Sequence, residues 1–170
     1  MILARLENTN GSTKEAKRHI GEALKLKSNY TDAIFLLSQI EVAEGNLKGA
    51  IQSVEAGTVI DPNNPIVFFQ LGLLRYNNKD YKGAVSALEQ AIALDSSYAN
   101  ARYFLGLNYD KLSRRSDAVA QFEIIQKTNP DNEEIKLILT NLKAGRGPFV
   151  NGKPPIDSKP EQRKTLPVAE

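Results

Sequence analysis

The stretch Pro65–Tyr98, PIVFFQLGLLRYNNKDYKGAVSALEQAIALDSSY, decides how the rest of the chain is read. It predicts two amphipathic helices joined by a polar turn, Asn77-Asn78-Lys79-Asp80, and its parts recur elsewhere. Leu71-Gly72 returns as Leu105-Gly106, and Gly83-Ala84 is preceded at the same interval by Gly49-Ala50. A fixed period of about 34 residues marks a helical repeat array, in which one unit cannot bury its own apolar face and stacks on its neighbours.

The repeat can be followed column by column. Ala16, Ala50, Ala84 and Ala118 form the strictest column, on the second helix of each unit. Leu3, Leu37, Leu71, Leu105 and Leu139 form the next, on the first helix, each followed by a small residue: Ala4, Ser38, Gly72, Gly106 and Thr140. Small side chains there let the two helices of a pair approach closely. Ile20, Val54, Leu88 and Phe122 supply the large apolar group of the second helix. Ala23, Gly57, Ala91 and Ile125 stay small where the next unit docks and become large at the end.

These columns resemble the tetratricopeptide repeat family, bacterial type, over roughly residues 1–140. The family's proline between repeats stands as Pro62 and Pro130 and is replaced by Ser28 and Ser96. The resemblance implies an all-α fold: a right-handed α-solenoid of antiparallel helix pairs, in repeats of about 34 residues, with a C-terminal closing helix. The array is expected over 1–145, as a partial repeat 1–30, full repeats 31–64, 65–98 and 99–132, and a closing helix 133–144.

In chain order, Met1–Leu6 matches only the later part of a first helix, so the opening repeat reads as having lost its front. Ser12 and Glu15 make a capping box for the helix that follows. With the leading helix short, Ile20, Leu24 and Leu26 lose cover, and self-association through this N-terminal edge is expected. Asp61-Pro62-Asn63-Asn64-Pro65 separates two repeats, since Pro62 cannot continue a helix and Pro65 suits a first turn. Glu133 and Glu134 sit at the positive end of the closing helix. Its outer face is read as Lys136, Asn141 and Lys143, and Gly145 as its terminator. From 146 to 170 the chain carries five of its eight prolines (Pro148, Pro154, Pro155, Pro160, Pro167) and no helical period, and is expected to be a flexible tail. Lys153-Pro154-Pro155 would favour an extended polyproline conformation there, as a linear motif does.

Composition is that of globular material, with 41% hydrophobic and 25% charged residues. Without cysteine, neither disulfides nor thiolate metal sites are available. Of 22 basic and 20 acidic residues, 146–170 holds five (Arg146, Lys153, Lys159, Arg163, Lys164) and three (Asp157, Glu161, Glu170), leaving 17 of each in the array. A neutral body carries no electrostatic footprint for nucleic acid. No apolar run is long enough for this segment to insert in a membrane, and no localisation signal is legible: cytoplasm and the soluble part of a membrane-attached protein both fit.

Chemical motifs fail on inspection. Gly147–Lys153 matches the first seven positions of a phosphate-binding loop, but Pro154 replaces the magnesium-binding hydroxyl and no strand precedes it. His19 is the only histidine, which excludes a histidine-based metal cluster and leaves a Ser–His pair without support; its neighbours Lys17, Arg18 and Glu22 point to a solvated helix face. Acidic residues are dispersed beside Lys and Arg, without a pair placed for acid–base work. Asn10-Gly11-Ser12 and Asn29-Tyr30-Thr31 match the glycosylation acceptor pattern, a frequent chance match. No catalytic residue, cofactor or metal is expected.

In the family, the first helices of successive repeats line a concave groove that takes peptides or partner segments. Carried over by column, Phe35, Phe69 and Tyr103 fall at one groove position, Gln39, Leu73 and Leu107 at a second, and Val42, Tyr76 and Asp110 at a third. Some members grip a C-terminal carboxylate with Lys and Asn at the first two columns; Phe, Phe, Tyr and Gln, Leu, Leu there argue against such a clamp. The groove is expected to be aromatic and apolar, although Phe at helical spacing serves as readily in a core, and Phe68 and Phe104 compete for that role. Two classes remain: a scaffold recruiting a protein or peptide partner, and the soluble C-terminal repeat domain of a larger bacterial envelope protein of the O-antigen ligase-like kind.

Overall fold

The computed structural model describes residues 13–26 and 31–150, with side chains from Lys14 to Glu22 and from Thr31 onward. The expected leading helix, the Ser12 cap, the side chains of Leu24 and Leu26 at the N-terminal edge, and residues 151–170 lie outside what is described. Eight helices and no strand occur within them: α1 (Thr13–Leu26), α2 (Thr31–Ala43), α3 (Leu47–Ile60), α4 (Pro65–Asn77), α5 (Tyr81–Leu94), α6 (Ala99–Lys111), α7 (Arg115–Thr128) and α8 (Glu133–Lys143). The first helices α2, α4, α6 and α8 begin at Thr31, Pro65, Ala99 and Glu133, at one constant interval. Each helix packs on its neighbours in sequence, and the first helices α4 and α6 also touch each other, which makes an all-α solenoid.

The helix boundaries follow from local chemistry. Asn46 and Asp80 occupy equivalent N-cap positions, and each side chain accepts a hydrogen bond of 3.0 Å from the backbone of Gly49 or Gly83. Asn64 caps α4 ahead of Pro65, accepting from Ile66 at 3.0 Å, and Asn132 caps α8, accepting from Ile135 at 3.1 Å. Between the two helices of a pair the chain passes through a left-handed residue at Gly45 (φ 77°), Lys79 (φ 61°) and Ser113 (φ 61°), again one repeat apart. Gly145 (φ 77°) ends α8 in the same conformation.

Packing explains the columns. Ala16, Ala50, Ala84 and Ala118 are fully buried, as are Ile20, Val54, Leu88 and Phe122. Ile20, expected to lose cover at the N-terminal edge, instead packs in a cluster with Ala33, Leu36 and Ile40 of α2. The small residue of each first helix is matched to the large one of its own second helix. A Cβ on Gly72 would stand 2.6 Å from Leu88, and one on Gly106 would stand 2.6 Å from Phe122. Where the partner is the smaller Val54, Ser38 is tolerated. Thr140 has no second helix beside it among the described residues and is exposed.

A polar relationship repeats with the same period. Glu55 on α3 binds Arg75 on α4 at 2.6 Å, Glu89 on α5 accepts from the Tyr109 hydroxyl on α6 at 2.7 Å, and Glu123 on α7 binds Lys143 on α8 at 2.8 Å. The three acids are one repeat apart, and so are their partners.

Two expectations about the C-terminal end are corrected. Asn141 is not on the outer face of α8; it is fully buried. Its Nδ2 donates to the Pro148 carbonyl at 3.1 Å, and its Oδ1 accepts from Arg146 Nε at 3.3 Å and Nη2 at 3.1 Å. The chain after Gly145 therefore does not leave the array at once. Pro148 is buried and Phe149 packs on the core. The polar groups of Asn141 are satisfied by this strap instead of by water, which is why a polar residue is tolerated inside.

Candidate partner-binding groove

The groove columns fall on one face of each first helix because spacings of three and four residues return to the same side of an α-helix. On α4 that face is Ile66, Phe69, Leu73 and Tyr76, while Val67, Leu71 and Leu74 on the other side are buried with residues of α3. On α2 the corresponding residues are Asp32, Phe35, Gln39 and Val42; on α6 they are Asn100, Tyr103, Leu107 and Asp110.

Exposure along this face falls toward the C-terminal end. Gln39 and Val42 are exposed, Val42 at 46%. Phe35, Phe69, Leu73 and Asp110 are half-buried. Tyr76, Tyr103 and Leu107 are buried, Leu107 at 1%. Those three do not offer a contact surface in this conformation. Tyr103 is closed off because Phe122 lies across it with ring centroids 5.6 Å apart, and because its hydroxyl donates to Glu134 of α8 at 2.6 Å.

What lies open between α4 and α6 is an aromatic seam. The Phe69 ring stands 4.9 Å from Tyr98 and 5.9 Å from Phe104, and Phe104 stands 6.1 Å from Tyr76, which in turn meets Tyr81 at 5.7 Å. The rings meet edge-on or tilted, as the quadrupole favours. Burial, with help from neighbouring Tyr81 and Asp110, raises the Tyr76 phenol above its ordinary value, and burial beside Asp95 pushes Tyr98 up to about 12. Both therefore stay neutral near pH 7, Tyr76 buried within the seam and Tyr98 half-buried at its edge. The sequence puts Tyr103 on the groove face and leaves Phe104 competing for the core; Tyr103 is buried and Phe104 is half-buried at the seam. Sequence reasoning missed Ile66, which is 52% exposed on the same face. Extending the three columns by one position on α4 would have found it.

The comparisons with known proteins fit this geometry. Residues 76–142 match the family profile described as tetratricopeptide repeat. The structure is similar to the crystal structure of MamA, at 26% identity, covering 85% of this chain and 85% of that one with a TM-score of 0.75. It is similar to YrrB, described as a tetratricopeptide repeat protein with an unusual peptide-binding site, at 20% identity, 84% and 73% coverage and a TM-score of 0.69. It is also similar to the first such domain of Spaghetti (RPAP3) bound to the HSP90 peptide SRMEEVD, at 22% identity, 68% and 91% coverage and a TM-score of 0.63. No curated protein sequence matches the chain.

The profile covers the last part of the array, and the even spacing of helix starts carries the same repeat back to Thr31. Among the described residues, no group of three or more His, Asp or Glu is placed to hold a metal ion. No described helix is long and apolar enough to cross a membrane. His19, expected on a solvated face, is half-buried and lies within hydrogen-bond distance of Arg18 (2.9 Å) and Glu22 (3.3 Å).

Proposed function

We propose that the array is a non-catalytic protein–protein interaction scaffold that takes a peptide or partner segment on the first-helix face. One observation carries this reading: Ile66, Phe69 and Leu73 run along one side of α4 with Ile66 exposed and the other two half-buried, beside the exposed Gln39 and Val42 and the Phe104 seam. A run of apolar and aromatic groups kept partly in water on a helix face suits the apolar side chains of a partner, and aromatic anchors are what binding surfaces use. The absence of Lys and Asn at the clamp columns directs the preference toward internal apolar segments and away from a free C-terminal carboxylate.

The test is selection of short peptides from a random library on the immobilised chain, followed by binding to variants. Selected peptides are expected to carry aromatic or aliphatic residues. Their binding is expected to fall at least tenfold, about 1.4 kcal/mol, in Leu73→Lys and to stay unchanged in Gln90→Lys, at an exposed position on second helix α5. Peptides whose binding ignores Leu73 and responds to Gln90 would place recognition on the other face and end this reading.

A further inference from the structure

Asn141 on α8 and Gln39 on α2 stand at the same place in their helices, a whole number of repeats apart, and both carry a side-chain amide. The first already holds a piece of chain. Its Nδ2 donates to the Pro148 carbonyl at 3.1 Å, and its Oδ1 accepts from Arg146 Nε at 3.3 Å and Nη2 at 3.1 Å. A guanidinium can only donate, so the amide oxygen must face Arg146 and the amide nitrogen must face the carbonyl. The piece held in this way is Gly147-Pro148-Phe149. Pro148 is buried, and Phe149 is half-buried against the apolar cluster that contains Ile138 and Leu142 of α8. A proline carbonyl on the amide, followed by an aromatic ring on apolar ground, is how this chain satisfies that position.

Gln39 presents the same group in the open. It is exposed, with the half-buried Phe35 one turn before it and Val42, 46% exposed, one turn after. Phe35 packs on the cluster that holds Val67, Leu71 and Leu74 of α4, so the apolar ground continues from α2 to the next first helix. We infer that Gln39 donates to a main-chain carbonyl of the partner, and that the segment it takes is a proline followed by an aromatic residue. The inference rests on the groove reading above and gives it a ligand chemistry. The amide donates to any carbonyl and cannot choose a sequence alone. The choice comes from its neighbours: the ring following the carbonyl meets Phe35 and Val42, as Phe149 meets the cluster at α8. Proline suits the place before it, since its φ is fixed and it has no N–H to leave unpaired against apolar side chains.

The probe is acetyl-Arg-Gly-Pro-Phe-Val-amide, the strap's own sequence as a free peptide, titrated against the full chain and followed by amide chemical shifts. Saturable shifts at Phe35, Gln39 and Val42 are expected. Binding should weaken at least about tenfold in Gln39→Glu, whose ionised carboxylate has the same shape and no N–H to donate, and should be kept in Gln39→Asn, which retains the amide. An alkene in place of the Pro-Phe peptide group removes the carbonyl and should cost the peptide about three- to tenfold, the worth of a neutral hydrogen bond. In Gln39→Glu the alkene should cost nothing further. A peptide with Ala for Phe should bind at least about tenfold more weakly, having lost its anchor. Equal binding by Gln39→Glu, indifference to the carbonyl or to the ring, shifts confined to α8, or no saturable binding would each overturn the proposal. If library-selected peptides still depend on Leu73 in that event, the groove reading stands without it; if they do not, both fall together.

Discussion

Glu89 on α5 accepts a 2.7 Å hydrogen bond from the hydroxyl of Tyr109 on α6, at the position where the flanking joints place Glu55 with Arg75 and Glu123 with Lys143. Two joints are closed by a cation and one by a phenol. The guanidinium of Arg114 lies 4.3 Å from the Tyr109 ring centre, so positive charge is supplied to the middle joint from the ring's face instead.

That difference makes the middle joint sensitive to alkali. Burial first, and then the hydrogen bond to the Glu89 carboxylate, push Tyr109 up to about 12, against the ordinary value of about 10. A group whose pKa is raised by folding contributes stability that is complete below its unfolded value and is lost as pH climbs through the folded one. Stability is therefore expected to fall between pH 10 and 12, and Tyr98, also near 12, adds to the same window. With no tryptophan in the chain, tyrosinate absorbance follows the titration cleanly. In Tyr109→Phe the loss across this window should shrink relative to the parent chain. An identical alkaline profile would show that the joint does not depend on the phenol.

The fit of Gly106 to Phe122 yields a coupled prediction. A methyl group at 106 would stand 2.6 Å from the ring, so Gly106→Ala is expected to cost about 1–3 kcal/mol by overpacking, despite roughly 1 kcal/mol of gained helix propensity. Two repeats earlier the same two places hold Ser38 and Val54. Combining Gly106→Ala with Phe122→Val should therefore destabilise by less than the sum of the single changes, with a coupling of about 1 kcal/mol or more. Additive losses in urea melts would mean the two positions do not share one space.

These columns were legible in the sequence because packing between repeats is periodic: Ala84, Leu88 and Gly72 must look like their counterparts one repeat away. The polar joints were not legible, since Arg75, Tyr109 and Lys143 share a position and a partner but not a chemical class. The first-helix face was legible as a set of columns, but not which of its residues are buried. Tyr103 and Phe104 are neighbours with similar side chains, and only the contact with Phe122 and the bond to Glu134 decide which one turns inward. Asn141 looked like surface because nothing in a helical pattern announces that the chain will fold back over it.

The strap can be weighed by truncation. Ending the chain after Arg146 removes the Pro148 carbonyl and the Phe149 ring, leaving the Asn141 amide without its acceptor. An unsatisfied buried donor costs about 1–3 kcal/mol. That loss is expected relative to a chain ending after Val150, measured by thermal or denaturant unfolding. Equal stability of the two truncated chains would show that the strap contributes nothing to the array.

Asn108 is the odd member of a buried column otherwise made of Ile40, Leu74 and Leu142. Its Nδ2 donates to the Phe104 carbonyl at 2.7 Å, and its Oδ1 is buried without a hydrogen-bond partner. Asn108→Leu removes the orphaned acceptor, keeps the branching at Cγ and matches the leucines of the column. A gain of about 1–3 kcal/mol is expected in urea unfolding. A loss would mean that the oxygen has a function that outweighs its burial.

Leu73 and Leu107 occupy the same groove column in consecutive repeats but not the same environment. Leu73 is half-buried, whereas Leu107 is 1% exposed, in the core cluster that also holds Ile138 and Leu142 of α8. Leu107→Ala is therefore expected to behave as a core truncation and cost about 2–5 kcal/mol. Leu73→Ala should cost about 1 kcal/mol or less, in the range of partly exposed positions, while weakening a groove-selected peptide about tenfold, or roughly 1.4 kcal/mol. Measuring both variants by unfolding and by peptide titration separates the two roles within one column. If Leu73→Ala proves the more destabilising and leaves peptide binding untouched, the open part of the face is structural, and recognition lies elsewhere on the array.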